Sequence, residues 1–362
     1  MTAFCSIIAR NYFAQAISLI ESLRKSGHTE TFFLLIIDSD NEDKKQHSNA
    51  SLEVLICDDL DIQNLLKRKF KYNITEFSTS VKAKLIHKLF ENGYSKVIYL
   101  DPDILVLNSL AGLIHKLDCC DVLLTPHMDK PTPDRWQGVD HFSMMATGIY
   151  NLGFIGIRKS ENALLFLKWW DSQLENRCVD EQQSGVFTDQ KYLDIATTLF
   201  RGFSILEEPG YNVAPWNLHS RNISKNNDFW LCNGELLYFY HFSNHNIKNP
   251  EKIAGYMDGI SFSLFPHLRL LYQEYQDYLV KNNYSFYSEL PYKHGYFQCG
   301  IKIDNSIRKV YREKRYLYET ISDPFSSQFL AAFQVKILHG TLVSILFRIK
   351  HRAIALIKMF YP

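Results

Sequence analysis

An α/β fold with a mostly parallel sheet and a helical C-terminal extension is predicted for this 362-residue chain by three observations. Short apolar runs alternate with amphipathic segments from Thr2 to about His127, the pattern of strands joined by packing helices. Three of the expected strands end in polar residues, as strands at a binding rim do. Beyond Pro250 the alternation gives way to aromatic-rich helical segments. With 46% hydrophobic residues the chain can bury a proper core, as one large domain or as one domain with an appendage.

Strands are expected over 3–9, 31–37, 52–57, 96–100 and 120–125. Between the first two, Phe13, Ala16, Ile17, Ile20 and Leu23 recur at helical spacing, and Gly27 stands where that helix must stop. A second helix carries Val81, Leu85, Ile86, Leu89 and Phe90, with Ser78 to Ser80 as its caps and Gly93 as its stop. Residues 128–147 hold Pro131, Pro133, Trp136, Gly138 and His141 without a clear period, and read as a long loop over the site. A strand over 149–157 follows, then a helix over 161–176 whose Trp169 and Trp170 are packing residues. Helices such as 264–282 make up the extension, so residues 1–250 form one expected domain and 251–362 the other.

Forty Lys and Arg against 39 Asp and Glu leave no global field to recruit nucleic acid, so charge-based recognition must be local. The seven cysteines are scattered and free of C-x-x-C spacing, which argues against a disulfide framework and a zinc site and for a reducing compartment. The N-terminal residues lack a basic region and read as a first strand, so a cytoplasmic location is expected. Residues 328–362 contain no acid but include Lys336, Arg348, Lys350, Arg352 and Lys358. Their longest uncharged run, Ile337 to Phe347, is too short to span a bilayer. A basic amphipathic helix on an anionic membrane surface, at the inner face of the cell membrane, fits this composition. The plainer alternative is a helix docked on the protein with its basic face in water.

The segment Leu100-Asp101-Pro102-Asp103-Ile104 places two carboxylates two residues apart at the end of an apolar run. Side chains at i and i+2 of an extended segment face the same way, so Asp101 and Asp103 can converge on one hard cation; a solvated turn is the alternative. Pro102 gives up a backbone donor, as suits a strand that is ending. Ala9, Arg10, Asn11 and Asp38 also lie at strand ends, and the common rim they share with Asp101 is the expected ligand site. Neither G-x-G-x-x-G nor G-x-x-x-x-G-K-[ST] occurs, so a metal rather than a glycine loop is expected to hold any phosphate.

In order, the chain carries Tyr99-Leu100-Asp101-Pro102-Asp103, Tyr150-Asn151-Leu152-Gly153, Thr188-Asp189-Gln190, Tyr211-Asn212 with Pro215-Trp216-Asn217, and Tyr240-His241-Phe242. Over roughly residues 3–250 this succession resembles the GT-A-fold nucleotide-sugar glycosyltransferases, most closely the family 8-like bacterial enzymes that build surface polysaccharides. The resemblance implies a Rossmann-like mixed sheet flanked by helices. It also implies transfer of a sugar from a nucleotide sugar, a UDP-sugar above all, to a glycan or lipid-linked acceptor.

By the same resemblance Asp101 and Asp103 hold a divalent cation, Asp101 also touches the donor ribose, and His241 is the third ligand. One imidazole with two carboxylates suits Mn²⁺ better than Mg²⁺. Asn151 and Gly153 match the segment that approaches the donor sugar, and Asn217 belongs to the same set. The family places Gly and then Lys after the histidine; here Asn244 replaces the Gly and Lys248 is displaced by one, with Lys82 and Lys84 as other candidates for the donor. Asp189 and Gln190 match the pair beneath the donor sugar. In a retaining enzyme Asp189 binds sugar hydroxyls and Gln190 sits near the anomeric carbon, whereas an inverting enzyme needs a carboxylate base. Gln190 cannot be that base, which with the resemblance favours retention. Asp189 as a plain helix cap is the alternative. Two rival readings of the whole chain are a haloacid-dehalogenase-like phosphatase using Asp101 and Asp103, and a non-catalytic sugar-binding scaffold at the membrane.

Overall fold

The computed structural model describes residues 1–314 and 322–330. The chain forms two compact units, residues 1–63 with 74–292, and residues 64–73 with 293 onward.

The first unit is built on β1 (Thr2–Ile8), β2 (Phe32–Ile36), β3 (Leu52–Ile56), β4 (Lys96–Leu100), β5 (Ile104–Val106), β6 (Val122–Leu124) and β7 (Phe154–Arg158). All five expected strands are present. The main sheet has seven strands, ordered Phe203–Ile205, β6, β7, β4, β1, β2, β3. Its neighbours run parallel except β7, which is antiparallel to both β4 and β6. The connection from β6 to β7 carries only the short helix His141–Thr147, so the chain turns back instead of crossing over. Strands buried on both faces read as near-continuous apolar runs, and Phe4, Leu34, Ile98, Leu100 and Phe154 meet in one core.

The helix Phe13–Lys25 forms as its periodicity predicts, buries Phe13, Ala16, Leu19, Ile20 and Leu23, and ends before Gly27 at φ +90°. The helix Lys82–Glu91 also forms, but Ser78 to Ser80 do not cap it. They close a separate helix, Ile74–Ser80, where the Ser78 and Ser80 hydroxyls donate back to Ile74 O at 2.8 Å and Phe77 O at 2.9 Å. Residues 128–147 are not wholly loop. Asp140 accepts a bond from Ser143 N at 2.9 Å and starts the helix His141–Thr147. The strand expected over 149–157 begins only at Phe154, because the preceding residues bridge back to β6's exit: Tyr150 pairs with Pro126, and Asn151 N donates to Thr125 O at 3.1 Å. The helix Glu161–Arg177 is capped by Ser160, and its Trp170 is fully buried.

Beyond residue 250 the chain is helical as expected, and Pro266–Lys281 packs within the first unit. Its Tyr275 stacks on Phe242 with ring centroids 3.9 Å apart, and Tyr272 meets Tyr240 edge-on. Residues 331–362, which carry the basic segment expected at a membrane, lie outside the described residues. Among those described, no helix is long and apolar enough to cross a membrane.

The second unit has its own core of Phe70, Phe297, Tyr311, Phe329 and Leu330. Arg308, only 2% exposed, donates to the carbonyls of Phe70 at 2.6 Å, Lys69 at 3.1 Å, His294 at 2.7 Å and also Tyr72. It thereby satisfies the C-terminal carbonyls of the helix Leu65–Lys71 and ties that helix to the segment near 294. Arg308→Leu keeps bulk but strands these acceptors, and should cost the second unit about 2–4 kcal/mol. Hydrogen exchange of the 64–73 amides should quicken correspondingly; unchanged protection would refute this role.

Candidate active site

The site starts where β4 ends. Asp101 N donates to Gly153 O at 2.7 Å, and Phe242 N donates to Asp103 O at 2.8 Å, so both sides of the Asp101–Asp103 turn are pinned. β5 leaves the main sheet and pairs antiparallel with Phe239–His241, with Ile104 opposite His241. That register brings His241 beside the turn. Its Nε2 lies 3.1 Å from Asp103 Oδ1 and 3.9 Å from Asp101 Oδ2. One ligand atom from each of the three residues falls within 4.8 Å of the others, a set that fits a single divalent cation.

Gly153 is what lets the imidazole sit there. A Cβ at this position would stand 2.5 Å from His241 Nδ1 and 2.8 Å from Asn151 Oδ1. On another side the Trp216 ring meets His241 edge-on at 5.1 Å between centroids. Burial disfavours a charged His241, but the Asp103 carboxylate outweighs it, and the ring's pKa is raised. Asp101 is also raised, by burial, against the pull of Lys82 and His241. The Tyr99 hydroxyl donates to Asp101 Oδ1 at 2.6 Å and fixes that carboxylate's orientation.

Lys82 is not a solvated helix lysine. It is 1% exposed, with Nζ 2.6 Å from Asp189 Oδ2, 2.8 Å from Leu152 O, and 4.1 Å over the centre of the Tyr99 ring. Lys84, by contrast, pairs with Asp171 at 3.4 Å. Asp189 makes no side-chain cap bond to the helical turn Gln190–Tyr192, so the cap reading fails. Its carboxylate is instead the counter-charge of Lys82. The Gln190 amide is held at both ends, donating to Thr147 O at 2.9 Å and accepting from Leu152 N at 3.5 Å.

Around this centre the asparagines serve the protein. Asn151 Oδ1 accepts from Gly153 N and Asn212 Nδ2, both at 3.0 Å. Asn217 accepts from Ala214 N and donates to Asn212 O, also at 3.0 Å, and so holds its own turn. At the end of β1, Ala9 O accepts from Tyr12 N at 2.9 Å, and Arg10 N donates to Asp38 Oδ1 at 2.8 Å. Asn11 Oδ1 is buried there without a hydrogen-bond partner among the described residues. Lys248 is drawn elsewhere: exposed and paired with Glu289, it does not join the cluster.

Sequence reasoning singled out neither Tyr12 nor His127 as a site residue. Tyr12 is 41% exposed overall, but desolvation of its hydroxyl and the charges of Asp103, Tyr284 and Asp101 push that group's pKa up to about 12. His127 is buried. Its Nδ1 donates to Gly148 O at 2.8 Å, which leaves Nε2 to accept from Asn151 Nδ2 at 3.2 Å. Burial pushes its pKa down to about 4. A cavity of about 600 Å³ opens beside the cluster, lined by His127, Asn151, Asp180, Gln190, Trp216 and Tyr256 among others.

Residues 4–129, the stretch that runs from β1 through the Asp101–Asp103 turn to β6, match the model of glycosyl transferase family 8. Over that stretch the chain is similar to the family 8 glycosyltransferases. The mixed sheet agrees with the fold expected from the sequence. The chain is similar to the uncharacterized protein YfnF of Bacillus subtilis (strain 168), 25% identical over 291 residues, covering 78% of this chain and 93% of that one. It is 21% identical over 254 residues to the uncharacterized YfnD of the same organism, covering 69% of this chain and 79% of that protein. Among solved structures it is similar to the galactosyltransferase LgtC in complex with donor and acceptor sugar analogs, at 13% identity and a TM-score of 0.47, covering 77% of this chain and 95% of that one. A second is the glycosyltransferase GlyE of Streptococcus pneumoniae TIGR4, at 18% identity and a TM-score of 0.45, covering 82% of this chain and 68% of that one.

Because the fold holds His127 neutral with a pKa near 4, below the ordinary 6.5, the unfolded chain takes up that proton first. His127's contribution is therefore whole above about pH 6.5 and falls away as the pH drops toward 4, by up to roughly 3 kcal/mol. His127→Gln should lose less stability than the parent between pH 7 and 4.5, read as urea midpoints. Equal losses would refute the assignment.

Proposed function

We propose that this chain is a Mn²⁺-dependent, retaining glycosyltransferase that moves a sugar from a UDP-sugar to a glycan or lipid-linked acceptor in surface polysaccharide synthesis. The observation that carries the proposal is the meeting of Asp101, Asp103 and His241 at the end of β4, next to the buried Lys82–Asp189 pair and a cavity of sugar size. Two carboxylates and an imidazole suit Mn²⁺, which when bound there offsets the negative charge of a departing diphosphate. Ala9, Asn11 and Asp38, at the strand ends of the same rim, are assigned to the nucleotide of the donor on this reading. Asn151 and Gly153 hold His241 and the turn in register.

Retention is supported by how the carboxylates are already committed. Asp101 and Asp103 belong to the cation set, and Asp189 neutralises Lys82. Gln190, at the cavity wall, is neutral and holds no proton-accepting charge. Asp180 is the one carboxylate among the described lining residues, and an inverting enzyme would use it as base. The anomeric configuration of the product, read by NMR, should match that of the donor, and Asp180→Asn should keep most of the parent kcat. An inverted product together with a dead Asp180→Asn variant would overturn retention. For the acceptor, the acid-free, basic composition of residues 328–362 supports work at an anionic membrane surface.

Asp103→Asn removes a metal-binding charge at a rim and not a core contact, so transfer should fall by about two orders of magnitude or more with the fold retained. Near-normal turnover of the folded variant at saturating Mn²⁺ would exclude the metal role. His241→Ala and Gly153→Ala attack the third ligand from two directions, one by deleting the ring and one by displacing it. Calorimetry should show both weakening Mn²⁺ by about tenfold or more while metal-free UDP binds as before. Unchanged metal affinity in both would make His241 structural.

A further inference from the structure

The polar groups of the cavity wall are almost all spent on the protein itself. Asn151 uses its oxygen twice and its amide nitrogen once, His127 has both ring nitrogens engaged, and the Gln190 amide is tied at both ends. Trp216 is different. It lines the same cavity and is only 5% exposed, yet its indole Nε1 has no hydrogen-bond partner among the described residues.

An indole N–H can only donate, and a buried donor without an acceptor costs free energy that a ligand oxygen can return. Such orphans persist where something else completes them. The ring around it is fixed: His127 meets Trp216 edge-on at 5.3 Å and His241 does so at 5.1 Å, with interplanar angles of 74° and 84°. Trp216 is therefore clamped between the ring that belongs to the cation set and the ring that belongs to the cavity wall. Asp101, Asp103 and His241 are not among the cavity's lining residues, whereas Gln190 and Asn151 are. A ligand oxygen that reaches Trp216 from the cavity thus lies beyond the diphosphate, on the sugar.

We infer that Trp216 is a specificity-determining residue whose Nε1–H donates to a hydroxyl of the transferred sugar. This rests on the proposed UDP-sugar transfer. The clamp gives the donor one direction, so the contact rewards a hydroxyl in one configuration and leaves the N–H orphaned with a sugar that lacks it.

The test uses the full chain labelled with nitrogen-15 on its tryptophans, with Mg²⁺ as a diamagnetic stand-in for Mn²⁺. UDP is added first, then UDP-glucose, UDP-galactose and UDP-N-acetylglucosamine separately. The indole signal absent from Trp216→Phe should stay in place with UDP and move with at least one UDP-sugar. By calorimetry Trp216→Phe should bind UDP as the parent does but lose about tenfold in affinity for that same UDP-sugar. Trp216→Tyr serves the same comparison if the phenylalanine variant does not fold. A Trp216 signal that no UDP-sugar moves, or that UDP alone moves fully, overturns the sugar assignment while the proposed transferase stands. Failure of the parent to bind UDP in the presence of metal overturns the proposed function, and the Trp216 assignment with it.

Discussion

An ammonium group cannot be buried without partners, and the three that Lys82 finds organise the centre of this molecule. Asp189 supplies the opposite charge, Leu152 O an acceptor, and the Tyr99 ring a negative face. Those partners come from separate stretches: the segment before Gln190, the approach to β7, and β4 itself. Each must be in place for the charge to be tolerated, so the pair acts as a register pin between the helix Lys82–Glu91 and the sheet. Through Tyr99, whose hydroxyl is bonded to Asp101, the pin extends to the carboxylate turn. A geometric tolerance set by a buried charge thus passes to Asp101 and its neighbours in the proposed cation set.

The second constraint is topological. β5 departs from the main sheet to pair with Phe239–His241, which moves a residue far along the chain to the mouth of β4. Gly153 then has to be glycine, because the ring that this pairing delivers fills the space of a side chain. Antiparallel β7 starts directly after Gly153, so one short connection carries Asn151, the backbone oxygen that anchors Asp101, and the carbonyl that receives Lys82. The compactness of the site follows from that reversal of strand direction.

Much of this was legible in the sequence and some was not, for identifiable reasons. The five strands and the carboxylate turn were visible because apolar runs and i, i+2 spacing are local patterns. Ser78 to Ser80 misled because serines suit both a cap and the end of a helix, and only the bonds to Ile74 and Phe77 choose between them. Asp140 with Ser143 was a readable start signal inside the presumed loop. Lys82 could have been found too. It precedes Leu85, Ile86 and Leu89 by three, four and seven residues, on the face that packs inward. The antiparallel β7 left no such trace, and neither did the row His127, Trp216, His241, whose members come from three separate segments and share no spacing.

The buried pair also limits the chemistry. Breaking such a pair by removing one partner costs about 3–5 kcal/mol, because the remaining charge stays in low dielectric. Asp189 protonated during a reaction would leave Lys82 in that position, so a proton shuttle through Asp189 works against the fold that holds it. A carboxylate used as a structural counter-charge is well suited to receive hydroxyl hydrogen bonds and poorly suited to accept a proton outright. The Gln190 amide is already held by Thr147 and Leu152, and the Trp216 indole, the group proposed to meet the sugar, is neutral at any working pH. On the proposed reading, control over where the sugar lies then rests on hydrogen-bond direction and ring clamping, with formal charge kept for the cation and its diphosphate.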